Sequence, residues 1–232
     1  MLGRCAMNDP LDIRRLYGRS QGHALRERAQ RLVDELLPAL EVPLEGPLSA
    51  ESLFGDSRPL GFEVGFGKGE HLGFQGSRLT DWGLIGAEPY LNGVAGLLAE
   101  VEDRGLSNVR VHRGDAIDVL ERLPDASLST LWLLHPDPWP KARHAKRRFV
   151  NPGPVGLVAA KLKAGGEFRI ATDHPLYLRH TLQVMQHADA FEWTAQSAAD
   201  WEDVPPEWPD TRFAQKARAV GHDVWRLIYR RR

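Results

Sequence analysis

From residue 60 onward the chain alternates between short apolar runs and stretches whose apolar residues recur at helical spacing. The strand-like runs are residues 60–66, 83–88, 109–113, 128–134 and 166–172. Helical patterns fit between them, at residues 92–104, 116–122 and 154–161. Strands that alternate with helices are typical of a parallel sheet with helices on both faces. The alternation therefore predicts an α/β fold.

The last part of the chain breaks this alternation. Residues 191–194 and 223–229 are both strand-like, and the long polar segment between them contains Pro205, Pro206 and Pro209. We expect these two runs to close one edge of the sheet as an antiparallel pair.

The first part of the chain divides into an arm, a helix and a connector. Residues 1–22 carry arginines and glycines without apolar periodicity, and predict a flexible arm. Residues 23–40 predict an amphipathic helix that Pro38 helps to end. Residues 41–59 are rich in Pro, Gly and Ser and predict a connector. We assign residues 23–232 to a single domain.

Composition sets limits on the class of protein. A chain of 232 residues that is 42% hydrophobic and 26% charged is typical of a globular α/β domain. The net charge of -1 means that any affinity for nucleic acid must come from local patches. A single cysteine, Cys5, excludes an intramolecular disulfide. Because there is neither a long apolar span nor a secretory signal pattern, we expect a cytoplasmic protein with no membrane contact.

The strand-like run 128–134 leads directly into the sequence His-Pro-Asp-Pro-Trp-Pro-Lys, which begins at His135. Prolines cannot continue a sheet ladder, so the strand must stop there and Asp137 is expected to lie in a rigid turn. A dense basic run follows, which suits a phosphate backbone. The alternative is a solvated basic start of a helix, which the helix dipole disfavours. The basic residues are Lys141, Arg143, Lys146, Arg147 and Arg148.

A glycine-rich turn follows the first strand and begins at Glu63. Its pattern is acid-x-Gly-x-Gly-x-Gly, with glycines at positions 65, 67 and 69, which let a backbone approach a ligand closely. Glu70 stands where a dinucleotide fingerprint needs a third glycine. The pattern therefore resembles the first motif of class I S-adenosylmethionine-dependent methyltransferases.

Acidic residues also follow the next two strands. Glu88 is placed to accept hydrogen bonds from ribose hydroxyls, and Asp115 from an adenine amino group. Each acid alone could be a solvated residue at a strand end. Together, at the binding edge of an open α/β sheet, they predict a nucleoside site, which suits S-adenosylmethionine and NAD alike.

From about residue 23 to its end the chain resembles the bacterial tRNA (guanine-N7)-methyltransferase family. The Pro-Asp-Pro-Trp-Pro-Lys sequence and its basic tail are the most specific match. The resemblance implies a seven-stranded, Rossmann-like class I methyltransferase sheet, mostly parallel with an antiparallel terminal strand and with helices on both faces. It also implies methylation of guanine N7 in the variable loop of tRNA, with S-adenosylmethionine converted to S-adenosylhomocysteine. The matching segments are residues 62–69, 86–88, 108–111, 136–148, 171–173 and 211–213.

The resemblance also implies roles for individual residues, with Asp137 as the catalytic group between cofactor and base. The cofactor would be bound by Glu63, Gly65, Gly67, Gly69, Glu88, Asp115 and Asp137. The substrate would be bound by Lys141, Asp173, Thr211, Arg212, Phe213 and Ala214. The RNA would be held by Arg143, His144, Lys146, Arg147 and Arg148. No metal and no obligatory protein partner are implied. For Asp173, capping of the following helix is a further interpretation.

Two positions depart from the family pattern. Ala214 stands where the family usually has glutamate, which puts a carboxylate contact to the substrate in doubt. His135 stands where aromatic or apolar residues are usual, and is interpreted as a tolerated strand-end residue or a pocket group. The alternatives are a methyltransferase with another acceptor, a tRNA-binding subunit without activity, and a NAD-dependent oxidoreductase. Trp201 and Trp208 receive no role.

Overall fold

The computed structural model describes residues 22–43, 45–205, 207–209 and 211–232. The predicted arm, residues 1–22, lies outside the described residues apart from Gly22. None of the described helices is long and apolar enough to cross a membrane. The helices are α1 (Glu27–Glu35), α2 (Leu37–Leu40), α3 (Ala50–Phe54), α4 (Glu70–Arg78), α5 (Leu91–Arg104), α6 (Ala116–Leu120), α7 (Pro152–Lys161), α8 (Pro175–Met185), α9 (Ala199–Glu202) and α10 (Arg212–Ala219), with a 3₁₀ helix at Ala142–Arg147.

The strands form one seven-stranded sheet in the order β3-β2-β1-β4-β5-β7-β6. The five strands from β3 to β5 are parallel, while β7 is antiparallel to both β5 and β6. This order confirms the predicted fold class and the antiparallel closure of one edge. The strands are β1 (Leu60–Val64), β2 (Gly83–Ala87), β3 (Val109–His112), β4 (Leu128–Leu134), β5 (Leu162–Thr172), β6 (Phe191–Trp193) and β7 (Trp225–Arg231).

Apolar side chains fill both faces of the sheet, as the predicted layers require. In β4, Leu131 and Leu133 belong to one buried cluster and Trp132 to the other, because successive residues of a strand point to opposite faces. Helices α6 and α7 cover the first face, and α4 and α5 cover the second. The carboxyl ends of the parallel strands therefore share one open edge between two layers of helices.

The structure corrects several predicted boundaries. The predicted helix 23–40 is two helices that break at Leu36. Pro38 lies in the first turn of α2 rather than ending a helix, since a first-turn residue needs no backbone N–H donor. Strand β5 begins at Leu162 instead of residue 166, and its register with β4 shifts between Leu128 and Thr130. Such an irregularity is difficult to read from a sequence because the run contains two adjacent glycines.

Candidate active site

A cavity of about 900 Å³ opens at the carboxyl ends of β1, β2 and β4. Its size is in the range of pockets that enclose a small organic ligand. Two residues without a predicted ligand contact, Glu70 and His71, also line it. The predicted site residues that the cavity brings together are Glu63, Gly65, Gly67, Glu88, Asp137, Arg147, Thr211, Arg212, Phe213 and Ala214.

The glycine-rich turn forms a narrow cradle on one side of the cavity. Gly65 and Gly67 have φ angles of 66° and 57°, which side-chain-bearing residues rarely adopt. A Cβ atom on Gly93 of α5 would lie 2.3 Å from the Gly67 carbonyl oxygen. One on Gly69 would lie 2.5 Å from Leu97 Cβ, so Gly69 allows α4 and α5 to pack and is not part of the cavity lining. Gly93 is a site-shaping residue that the sequence analysis missed.

Glu88 is buried at the end of β2 with both carboxylate oxygens engaged. Oε2 accepts a hydrogen bond from the Gly67 N–H at 2.9 Å, and Oε1 accepts one from the Tyr90 N–H at 3.0 Å. Burial raises the pKa of Glu88 above its usual range, and these two backbone hydrogen bonds oppose the shift. Because each carboxylate oxygen has a second acceptor position, Glu88 can still accept from hydroxyl groups of a ligand.

Glu63 is 2% exposed and belongs to a buried polar chain. Its Oε2 lies 2.8 Å from His71 Nδ1, and His71 Nε2 lies 3.1 Å from the Gln75 side-chain amide nitrogen. The Gln75 amide nitrogen is a donor, so His71 Nε2 must be the acceptor. In a neutral imidazole the hydrogen is then on Nδ1, which donates to Glu63. Gln75 also donates to the Glu207 carbonyl oxygen at 2.9 Å. His71 was not predicted, although its place in the first turn of the helix after the glycines was a usable signal.

The turn that follows β4 is held in an unusual backbone conformation. His135 and Trp139 have φ angles of 48° and 41°, which cost about 1–3 kcal/mol each for residues other than glycine. Arg148 is buried, and its guanidinium donates to the carbonyl oxygens of Pro138 and Trp139 at 3.0 Å each. The turn therefore presents Asp137, which is exposed, at the cavity. Arg148, predicted to hold RNA, braces this turn.

The other basic residues lie outside the cavity lining or at its rim. Lys141, Arg143 and Lys146 are exposed at the 3₁₀ helix, while the Arg147 guanidinium lies 4.9 Å from the centre of the Trp139 ring. Partial burial and the neighbouring cations lower the pKa of His144. The basic run thus forms a 3₁₀ helix rather than the start of α7.

Two predicted acids do not line the cavity. Asp115 is the N-cap of α6, where its Oδ1 accepts from the Ile117 N–H at 3.0 Å, and burial raises its pKa. Asp173 is not an N-cap, because His174 caps α8 through its Nδ1 atom. The Asp173 carboxylate instead lies 3.3 Å from His135 Nδ1.

The segment from residue 211 to residue 214 forms the start of α10 over the cavity. Thr211 Oγ1 accepts from the Ala214 N–H at 3.3 Å. A glutamate in place of Ala214 would complete a capping box, because it would stand three residues after the threonine. Here Glu70 of α4 supplies a carboxylate to the same helix end: its Oε2 accepts from the Arg212 N–H at 2.7 Å and its Oε1 lies 3.0 Å from Arg212 Nε.

The structure also shows where Trp208 lies. Its side chain is buried in the cavity wall, in a cluster with Ala171, Ala217 and Val224. It therefore anchors the segment that precedes α10. Trp201 lies away from the cavity and packs edge-on against Trp193, with ring centres 5.8 Å apart.

Comparisons with known proteins agree with this geometry. The model of a family described as "Putative methyltransferase" matches residues 57–227. The chain is similar to a tRNA (guanine-N(7)-)-methyltransferase from Zymomonas mobilis, at 56% identity over 97% of this chain and 98% of the other. It is also similar to one from Novosphingobium aromaticivorans, at 59% identity over 97% of each chain.

Among solved structures, an rRNA methylase from Streptococcus thermophilus superposes with a TM-score of 0.51 at 10% identity. The match covers 90% of this chain and 99% of that chain. At this low identity the likeness concerns the fold alone, and it agrees with the sheet order described above.

Proposed function

Since the chain belongs to the tRNA (guanine-N(7)-)-methyltransferase family, we propose that it transfers a methyl group from S-adenosylmethionine to N7 of a guanine in the variable loop of tRNA. The observation that carries this proposal is the continuity of the cavity. The glycine cradle and two buried carboxylates lie at one end, and exposed Asp137 and the start of α10 lie at the other.

The cofactor end suits the chemistry of a methionine-bearing nucleoside. Glu88 has acceptor positions left for the two ribose hydroxyls, and Glu63 is an acid that suits the ammonium group of the methionine part. The backbone at Gly65 and Gly67 lets the ligand approach closely. Asp115, at the end of β3, would accept from the adenine amino group. The bound cofactor supplies an electrophilic methyl group on a sulfonium.

Asp137 is assigned the catalytic role because of its position and charge. Guanine N7 carries a lone pair, so the base needs no deprotonation and the transfer needs no metal. The protein mainly aligns the two reactants. Positive charge develops on the purine ring during transfer, and the Asp137 carboxylate stabilises it electrostatically. Carboxylates such as Asp137 and Asp173 also accept hydrogen bonds from guanine N1 and N2, which adenine cannot match.

The rim of the cavity provides the contacts for RNA. Phosphates would lie along the basic residues of the 3₁₀ helix, because electrostatic contacts position an RNA without reading its sequence. The substrate would also contact Lys141 and the segment from Thr211 to Ala214. We further propose a single catalytic domain at residues 23–232, a cytoplasmic location, where tRNA is found, and action without an obligatory protein partner.

A transfer assay tests the proposal directly. Purified protein is incubated with labelled S-adenosylmethionine and an unmodified tRNA transcript, or a transcript whose variable-loop guanine is replaced by adenine. We expect label in the first RNA only. Label in both transcripts would support methyltransferase activity but overturn the assignment of the variable-loop guanine as its target. Binding of S-adenosylhomocysteine, measured as a thermal shift against NADH, without any transfer would favour a tRNA-binding subunit or another acceptor.

A further inference from the structure

His135 lies between Asp173 and Phe213, two residues that are assigned to the substrate. It directly follows β4, and its backbone N–H donates to the Ala171 carbonyl oxygen at 2.8 Å, which extends the pairing with β5. Its φ of 48° turns the chain out of the strand at this point. The side chain lines the cavity two residues before Asp137. The imidazole and the proposed catalytic carboxylate therefore line the same cavity.

The imidazole contacts two elements that are distant in the chain. Its Nδ1 lies 3.3 Å from Asp173 Oδ1, in the turn after β5. Its ring stacks on Phe213 of α10, with ring centres 5.4 Å apart and planes 15° from parallel. A donor on Nδ1 orients the Asp173 carboxylate, and the ring face orients Phe213. No aliphatic side chain could do both, and a phenyl ring would supply only the stacking.

Burial of the imidazole favours its neutral form, which can still donate a hydrogen bond. Burial lowers the pKa of His135, Asp173 opposes the shift, and Arg226 adds to it. His222 faces the other oxygen of Asp173, with Nδ1 3.9 Å from Oδ2. With Nδ1 protonated, a neutral His135 donates to Asp173 while the carboxylate keeps its charge and its remaining acceptor positions.

We propose that His135 is a positioning residue for the tRNA substrate, which holds the Asp173 carboxylate and the Phe213 ring in one arrangement beside Asp137. This inference rests on the proposed function, because it gives Asp173 and Phe213 their task as substrate contacts. It implies that the substrate end of the site depends on a polar side chain that directly follows β4.

The test uses two variants that separate the two contacts. His135→Phe keeps a ring for stacking but has no donor, whereas His135→Asn keeps a donor near the position of Nδ1 but has no ring. We measure kcat, the KM for tRNA and the affinity for S-adenosylhomocysteine. For His135→Phe we expect the KM for tRNA to rise about tenfold, the scale of one lost hydrogen bond to a charged group. We expect kcat and cofactor affinity to remain near wild-type values, and His135→Asn to recover part of the KM.

A double-mutant cycle with Asp173→Ala gives the second measurement. We expect His135→Phe to add little to the effect of Asp173→Ala, because the histidine acts through that carboxylate. A normal KM in His135→Phe, or effects that simply add in the double variant, would overturn the inference while label transfer by the wild type still supported the proposed function. A wild type that binds cofactor but methylates no tRNA would overturn both. If His135→Phe fails to fold, the cycle is run with His135→Leu, which also lacks the donor, and its effect on the KM must then shrink in the Asp173→Ala background.

Discussion

The proposed cofactor end and the proposed substrate end of the cavity are built in different ways. At the cofactor end, Glu88 and Glu63 are buried, and Glu88 is held by backbone N–H groups. At the substrate end, Asp137 is exposed and Asp173 is half-buried, held by the side chain of His135. Backbone hydrogen bonds therefore help to organise the cofactor end, whereas side-chain pairs between segments distant in the chain organise the substrate end.

Because of this difference, substitutions at the two ends should affect the stability of the protein unequally. A change at the cofactor end disturbs backbone geometry that the sheet and two helices share, so cofactor affinity and folding should fall together. A change at the substrate end removes contacts between elements that are already folded. We therefore expect turnover or tRNA affinity to change there with little loss of stability.

The largest expected effect is at the substrate end. Asp137→Asn keeps the shape of the side chain but removes its charge, so we expect kcat to fall by about 100-fold or more, the scale of losing one group that stabilises transition-state charge. Because Asp137 is exposed, the melting temperature should remain close to the wild-type value. Single-turnover transfer rates and thermal melts check both. A near-normal kcat would remove Asp137 from its assigned role, and a large fall in melting temperature would contradict the division between the two ends.

The matching experiment at the cofactor end is Gly93→Ala. The new Cβ would lie 2.3 Å from the Gly67 carbonyl oxygen, so either the cradle or α5 must shift. We expect a loss of about 1–3 kcal/mol in the free energy of unfolding, together with weaker S-adenosylhomocysteine binding. The control is Gly156→Ala in α7, where a Cβ would meet nothing within 4 Å. It should stabilise by up to about 1 kcal/mol. Equal effects of the two changes would show that the cradle tolerates a methyl group.

The same division explains what the sequence could predict. The parallel sheet, its antiparallel closing pair and the acids at strand ends follow from periodic patterns and from the rule that parallel strands end at one edge. The pairing of His135 with Phe213, and of Glu70 with Arg212, joins residues far apart in the chain, and no local pattern encodes such contacts. The resemblance assigned residues 211–214 to the substrate, but it could not show that the Glu70 carboxylate accepts from the Arg212 N–H at the start of that segment.

A pH dependence tests whether Glu88 acts as a buried anion. Its pKa is raised by burial, and its ionised form accepts from hydroxyl donors. Affinity for S-adenosylhomocysteine should therefore fall as the pH is lowered through this raised pKa, at a higher pH than an ordinary glutamate would give. Glu88→Gln should bind about tenfold more weakly at neutral pH, the scale of hydrogen bonds to a charged group, and should lose this pH dependence. Calorimetry at several pH values measures the affinity of both proteins for S-adenosylhomocysteine. If Glu88→Gln keeps the wild-type pH profile, another group causes the pH dependence.

The smallest expected effect concerns the link between the two ends. Glu70 lies in the first turn of the helix that follows the glycine cradle, yet it caps α10, which carries the substrate segment. Glu70→Ala should cost about 1 kcal/mol of local stability, the usual contribution of a helix cap, and should speed hydrogen exchange at the first amides of α10. Arg212→Ala removes the ion pair but leaves the capped backbone N–H in place, so exchange there should hardly change. If Arg212→Ala speeds exchange as much as Glu70→Ala, the ion pair and not the cap joins α10 to the cofactor end.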